Sequence, residues 1–337
     1  MDPATVYVLL ANGHLLIVKL PLAQTNELTL TATSPEEQST THALALSRDG
    51  ALLYAAVADA SLNGRIVEVE TATQHVVREI ALDAGASPRG LVVGQRAGNL
   101  YAFGNKPGSA LVWIIDPSAR TPPRSFVARR ADGHNDLVFE GLVNADESAL
   151  FLSYHGADTT GIDRFALSDD TLERCISDAL PGHGCFNAHG GMALADDHLL
   201  ATTGEGPLLA IDPKSGQTLA RYDVQLPGNH TDDVALEPGG QRAFLIGSFG
   251  YSCGLSSVDL RSGRTSVLVP PSTADSRCGE RVVVGRGART LIVARALRPL
   301  AARDRAGKVL VLAEDGREVG QIVTSSEPID VVVASAP

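Results

Sequence analysis

A short apolar run, a polar turn and a second apolar run recur along this chain at a spacing that leaves few folds open. The clearest copies are HALALSRDGALLYAAV from His42, GLVVGQRAGNLYAFG from Gly90 and EGLVNADESALFLSY from Glu140. GMALADDHLLATT from Gly191, DVALEPGGQRAFLIG from Asp233 and RVVVGRGARTLIVAR from Arg281 continue the series. Aligned on the last apolar residue of the first run, the anchors are Leu46, Val93, Val143, Leu194, Leu236 and Val284, separated by 47, 50, 51, 42 and 48 residues. A seventh first run, DVVVA, places Val333 a further 49 residues on. Such a period marks one supersecondary unit repeated along the chain.

Each copy continues into a second hairpin, as in IVEVETATQHVVREI, LLAIDPKSGQTLARYDV and VLVLAEDGREVGQIV. Alternation broken by Gly, Asp, Ser or Pro turns marks antiparallel hairpins. Two hairpins per repeat make a four-stranded sheet, and sheets repeated at this period are the blades of a β-propeller. The C-terminal Asp330–Ala334 supplies only an innermost strand, whereas the N-terminus begins at a second strand, Val6–Leu10. The two ends therefore complete one blade, which removes the open edge. The expected fold is all-β: one seven-bladed propeller domain over residues 1–337 with four-stranded antiparallel blades. Blade 1 takes 1–38 plus 328–337, blade 2 39–86, blade 3 87–133, blade 4 134–187, blade 5 188–229, blade 6 230–278 and blade 7 279–327.

Arg48-Asp49-Gly50 followed by Tyr54, Glu237-Pro238-Gly239-Gly240 with Phe244, and Asp259-Leu260-Arg261-Ser262-Gly263 repeat one pattern. It comprises an apolar strand, a PDG-like turn, an aromatic-bearing strand and a D-x-x-x-G hairpin. Over essentially the whole chain this resembles the YVTN and lactonase-type seven-bladed propellers. The resemblance implies the fold and not the chemistry, because such propellers include enzymes, binding proteins and scaffolds.

The net charge of −11 on 337 residues, with no long Lys/Arg run, argues against nucleic acid as a partner. Apolar runs such as Ala110–Ile115 fall far short of the ~20 residues a membrane span needs. The start, MDPATVYVLLANG, lacks a basic n-region and does not read as a signal peptide. The compartment stays open between cytoplasmic and, with a signal already removed, periplasmic or secreted. Cys175, Cys185, Cys253 and Cys278 contain no CxxC pair, which argues against a zinc knuckle. Cys175 with Cys185 and Cys253 with Cys278 are candidate disulfides. A closed propeller completes its own core, so a monomer is expected.

In a propeller the innermost strands line a central channel, and the loops entering them share a rim with the loops between second and third strands. Three residues before each anchor lie Ala43, Gly90, Glu140, Gly191, Asp233, Arg281 and Asp330, one ring if side chains alternate. Entering loops carry His134-Asn135-Asp136, Asn187-Ala188-His189 and Asn229-His230-Thr231-Asp232, and the loops between second and third strands add His155 and Glu205 to the same rim. A lone His or Asp at a loop–strand junction most often caps a turn. Four of the nine histidines on one rim are more than capping requires.

Two chemistries suit the cluster. His134, His155, His189 and His230 can ligate one divalent metal (Zn, Fe, Cu or Mn) that acts as a Lewis acid. Alternatively the histidines and Glu205 serve as general acid and base without a metal. In either case Glu140, Asp233, Arg281, Asp330, Asn135 and Arg295 bind a small-molecule substrate in the channel, Arg281 holding a carboxylate or a developing oxyanion. The loop Arg295–Arg305 holds four arginines and can cover an anionic substrate. The expected activity is that of a small-molecule enzyme, a lyase, cyclase or hydrolase. A non-catalytic ligand- or protein-binding propeller is the rival, against which the 4% aromatic content and single Trp113 weigh. Gly250-Tyr251-Ser252-Cys253-Gly254 matches G-x-S-x-G, but a nucleophile elbow needs a strand, a sharp turn and a helix, and this stretch joins two strands.

Overall fold

The computed structural model describes residues 4–21, 24–30, 43–59, 61–130, 137–155, 160–176, 191–195, 197–202, 207–224, 233–249, 252–272, 279–285, 290–296 and 307–335. Every regular element among them is a β-strand, and each strand belongs to a four-stranded antiparallel sheet. The chain divides into two compact units, Thr29–Ala188 and Met1–Leu28 with His189–Pro337.

Thr29–Ala188 contains three sheets. The first joins Ala43–Leu46 (β4), Leu52–Ala58 (β5), Gly64–Glu70 (β6) and His75–Ala81 (β7). The second joins Ser87–Val93 (β8), Leu100–Lys106 (β9), Ser109–Ile115 (β10) and Arg124–Arg130 (β11). The third joins Leu137–Val143 (β12), Ala149–His155 (β13), Thr160–Ala166 (β14) and Thr171–Ile176 (β15).

The other unit contains four sheets, the first uniting the chain ends: Pro328–Ser335 (β28) pairs with Ala4–Leu10 (β1), which pairs with His14–Leu20 (β2), and Gln24–Thr29 (β3) follows. Met192–Leu194 (β16), Leu199–Thr202 (β17), Leu208–Ile211 (β18) and Thr218–Tyr222 (β19) form the next. Asp233–Leu236 (β20), Arg242–Phe249 (β21), Ser252–Asp259 (β22) and Thr265–Ser272 (β23) form the third. Gly279–Val284 (β24), Thr290–Ala296 (β25), Gly307–Ala313 (β26) and Glu318–Thr324 (β27) form the last.

Within each unit the cores lie between sheets. Leu53 to Ala58 are each 2% exposed or less, so both faces of this strand are buried. Tyr54, Ala56 and Ile66 of one sheet pack with Leu91, Leu100 and Trp113 of the next, and the Trp113 indole donates to Asp83 at 3.0 Å. Val6, Val8 and Val331 meet Val309 and Val311 in the same way.

The turns follow their residue chemistry. In Arg48-Asp49-Gly50 the Asp49 carboxylate accepts from Ser47 Oγ at 2.6 Å and from Ala51 N at 3.0 Å, while Gly50 takes φ +72°. In each D-x-x-x-G hairpin the glycine has positive φ and donates to the aspartate carbonyl, Gly216 to Asp212 and Gly263 to Asp259, both at 2.8 Å. Bonds from serine and backbone donors hold the Asp49, Asp116, Asp212 and Asp259 carboxyls below the usual carboxylate range. Several of the 39 acidic residues are thus turn-building aspartates.

Candidate functional site

The ring positions expected from sequence fall at the heads of the innermost strands. Ala43 opposes Ala56, Gly90 opposes Phe103, Glu140 opposes Ser153, Asp233 opposes Ile246, Arg281 opposes Ala294 and Asp330 opposes Leu9. Gly191 accepts from Thr202 N at 3.2 Å just ahead of β16. Four of these strands carry a bulge immediately before the ring position, with Arg89, Phe139, Glu280 and Ile329 as the extra residues. A bulge re-aims the chain at the end of a strand, so simple alternation holds after the ring residue and fails before it.

In the unit holding both termini, three ring residues form a connected polar chain. The Arg281 guanidinium lies between two carboxylates, with Nη1 at 3.5 Å from Asp233 Oδ1 and Nε at 3.1 Å from Asp330 Oδ1. The aspartate side chains are 4% and 7% exposed, while the arginine is 34% exposed. Asp233 Oδ2 also accepts from Val282 N at 2.8 Å, a bond from one innermost strand to the next. Asp330 Oδ1 accepts from Val331 N at 2.8 Å. Gly191 makes room for the Asp233 carboxylate, since a Cβ there would lie 2.6 Å from Asp233 Oδ1. Buried carboxylates need such partners, and the guanidinium fork meets two at once. The result is a cation clamped from both sides with about a third of its side chain open.

The ring pattern alone leaves Arg281 free for a substrate carboxylate; the structure places two protein carboxylates on it. Asp233 and Asp330 are nearly buried and serve first to hold Arg281 and backbone amides. In the other unit Glu140 is half-buried, and the Ser153 hydroxyl accepts from Glu140 N at 3.1 Å. Sequence reasoning passes over Arg89, the bulge residue next to ring residue Gly90. It is half-buried, and burial pulls its pKa below the ordinary arginine range. The signal is available in the run Ser87-Pro88-Arg89-Gly90, where a cation adjoins the ring position.

His134, Asn135, His189, Glu205 and His230 lie outside the described residues, as do Cys185 and Cys278. Of His155 and Arg295 only the backbone is described: His155 pairs with Leu137 and with Thr160, and Arg295 pairs with Gly279 and with Lys308. Among the described residues no group of three or more His, Cys, Asp or Glu is arranged to hold a metal ion.

No family model and no curated protein matches this sequence. Solved structures do match. A "putative 6-phosphogluconolactonase" from Bacteroides uniformis is 14% identical with a TM-score of 0.69, covering 99% of this chain and 100% of its own. A second protein of that description, from Bacteroides fragilis, is 12% identical with a TM-score of 0.65, covering 99% and 98%. Hydrazine synthase of Kuenenia stuttgartiensis is 13% identical with a TM-score of 0.64, covering 87% and 95%. At these identities the likeness concerns the fold, an all-β β-propeller with four-stranded antiparallel blades.

Proposed function

We propose that this chain is a hydrolase-type propeller that opens a small lactone or ester, with Arg281 at the reacting carbonyl. The observation that supports this reading is the partly open guanidinium pinned between two nearly buried carboxylates. A donor held before the reaction needs no reorganisation when charge develops on the carbonyl oxygen, which is the condition for effective oxyanion stabilisation. In such a hydrolysis a water oxygen bonds to the carbonyl carbon and its proton passes to a base. The ring C–O bond then breaks, and the leaving oxygen takes a proton to give the hydroxy acid. The histidines His134, His155, His189 and His230, with Glu205, are the proposed acid–base set. His189 and His230 precede ring residues Gly191 and Asp233 by two and three positions.

The same four histidines are the proposed ligands if one divalent metal (Zn, Fe, Cu or Mn) takes part, activating the water as a Lewis acid. Asn135, Glu140 and Arg295 are proposed to contact the substrate. The two matches described as 6-phosphogluconolactonases lend the lactone its place in this reading. We further propose that each four-stranded sheet is one blade, with the blade limits given by the repeat, and that the chain acts as a monomer.

One observation favours the rival, a non-catalytic binding propeller: both aspartates already hold Arg281 and a backbone amide, as purely structural groups would. The test is pH-stat hydrolysis of a lactone panel that includes glucono-δ-lactone, with the parent, Arg281→Lys and His189→Ala/His230→Ala. Turnover above the uncatalysed rate that falls about 100-fold in Arg281→Lys, the typical cost of one oxyanion donor, supports the hydrolase. Saturable binding without turnover supports the rival, and unchanged turnover in Arg281→Lys removes Arg281 from the mechanism. Elemental analysis of the parent and the double histidine variant separates the metal from the metal-free form.

A further inference from the structure

A second place in the fold has the attributes of a binding site and plays no part in the reading above. β7 is the last strand of its sheet, so among the described residues one of its edges has no strand beside it. Along that edge runs a cleft of about 670 Å³, within the size range of small-ligand sites. One wall is five consecutive strand residues, Val77–Ala81; the other comes from residues 118–123, which join β10 to β11 in the neighbouring sheet.

The two walls are held at a fixed distance. Arg78 reaches across, donating from Nη1 to Pro117 O at 2.9 Å and from Nη2 to Ala119 O at 2.8 Å. Pro117, Pro122 and Pro123 lack N–H groups, so this wall has few donors with which to close on the strand as a ladder partner. The cleft is therefore open before anything binds, which lowers the ordering cost of an occupant.

The strand's hydrogen-bonding parity follows from one contact. Leu82 N donates to Gly64 O at 3.0 Å, so even-numbered positions at this end aim their amides at β6. By alternation Glu79 and Ala81 aim their N–H and C=O groups at the cleft. Val77, 54% exposed, adds apolar surface at the other end.

The charge balance sets the sign of the occupant. Glu79 is paired with Arg65 at 3.2 Å, and Arg78 lies 3.8 Å from Glu68. Arg120 lines the cleft and makes no ion pair among the described residues. The nearby Asp116 carboxylate is taken up by Ser118 and Ala119, so the cleft lining itself sets Arg78 and Arg120 against Glu79, and this favours an anionic group beside Arg120. We infer that the β7 edge takes up an extended acidic peptide as a fifth strand, its backbone laddering with Glu79 and Ala81 and a carboxylate meeting Arg120. β-Augmentation of this kind draws affinity from main-chain bonds and specificity from flanking groups.

The test is fluorescence anisotropy of the whole protein with a fluorescein-labelled hexapeptide of alternating valine and aspartate. Comparators are the same peptide with lysine for aspartate and one N-methylated at alternate residues. Ala81→Pro removes the N–H aimed at the cleft from an exposed edge position where proline is tolerated, and Arg120→Glu reverses the charge on the opposite wall. Circular dichroism confirms that each variant is folded. Saturable binding of the aspartate peptide is expected, weakened at least tenfold by N-methylation and by Ala81→Pro. In Arg120→Glu the preference moves to the lysine peptide. Absence of binding, equal binding of the aspartate and lysine peptides, or binding that survives N-methylation overturns the inference. So does a parent that dimerises at assay concentration while Ala81→Pro is monomeric, because the occupant is then a second copy of this chain.

Discussion

Removing Arg281 tests whether the polar chain at the heads of the innermost strands carries the weight placed on it. At 3.1 and 3.5 Å, each carboxylate attracts the guanidinium by about 5 kcal/mol at an effective dielectric of ~20. That is a gross figure. The arginine is 34% exposed, which screens both pairs, and its own desolvation is regained when it is deleted. The aspartates regain nothing, because they stay where they are. Arg281→Ala takes this cation away from two nearly buried carboxylates, and removing one partner of a buried ion pair costs about 3–5 kcal/mol. Discounted for the open third of the side chain, the expected loss is about 3 kcal/mol.

Two companions make the prediction discriminating. Arg281→Lys restores charge but not the fork, so one carboxylate is served at a time and the loss is about 1–2 kcal/mol. Arg281→Met combined with Asp233→Asn and Asp330→Asn removes all three charges, and the amide carbonyl introduced by Asp233→Asn can still accept from Val282 N. That triple variant is expected to be more stable than Arg281→Met alone, although it carries two more substitutions. The assay is urea unfolding followed by far-UV circular dichroism, with thermal midpoints as a cross-check. An Arg281→Ala variant within about 0.5 kcal/mol of the parent, or a triple variant less stable than the single, would refute the reasoning.

Glu147, at φ +54°, accepts from Arg96 N at 2.7 Å, Ala97 N at 2.6 Å and Tyr101 Oη at 2.9 Å in the neighbouring sheet. Burial alone would raise its pKa, but these bonds outweigh burial and hold it below the usual carboxylate range. A lowered folded pKa contributes stability above the unfolded value of ~4.3 that is lost as pH falls through the folded one. Glu147→Gln should therefore cost about 1–2 kcal/mol at pH 7, and the gap to the parent in urea melts should close towards about pH 3. Gly94→Ala would put a Cβ 2.3 Å from the Glu147 Cδ, so calorimetry should show a loss of about 1–3 kcal/mol that largely vanishes in a Glu147→Ala background. Gly90→Ala would place its Cβ 1.8 Å from the Phe103 ring, and a loss of similar size should be partly relieved by Phe103→Leu.

The blades were legible because each repeat must bury both faces of its sheet, which stamps apolar runs such as Leu53–Ala58 at a regular period. The turns were legible because Gly50, Gly216 and Gly263 occupy positions that demand positive φ. The ring register was also readable: Asp233, Arg281 and Asp330 come at intervals of 48 and 49 residues and meet in space. Their partnership was not, because a strand pattern reports which way a residue points and not what the next strand offers it. The bulges at Arg89, Phe139, Glu280 and Ile329 were hidden for a related reason. One inserted residue changes parity without changing composition, and nothing in Ser87-Pro88-Arg89-Gly90 spells out which residue is the extra one. The Arg78 bridge that holds the β7 cleft open joins two sheets through carbonyls, which any sequence can provide.

A common device runs through these contacts. Apolar faces press neighbouring sheets together without direction, so a polar group of one sheet must fix its place on the next. Asp233 does so through Val282 N, Glu147 through Arg96 N and Ala97 N, and Arg78 through Pro117 O and Ala119 O. By that standard Asp233 is an ordinary clasp, and a carboxylate at a ring position is weak grounds for catalysis. Arg281 departs from the pattern. It is held by two nearly buried carboxylates where one would anchor it, whereas Arg78, open to a similar extent at 28% against 34%, spends its guanidinium on two carbonyls. The paired carboxylates rather than the exposure set Arg281 apart, and on that ground the proposed chemistry falls to the arginine and its positioning to the aspartates.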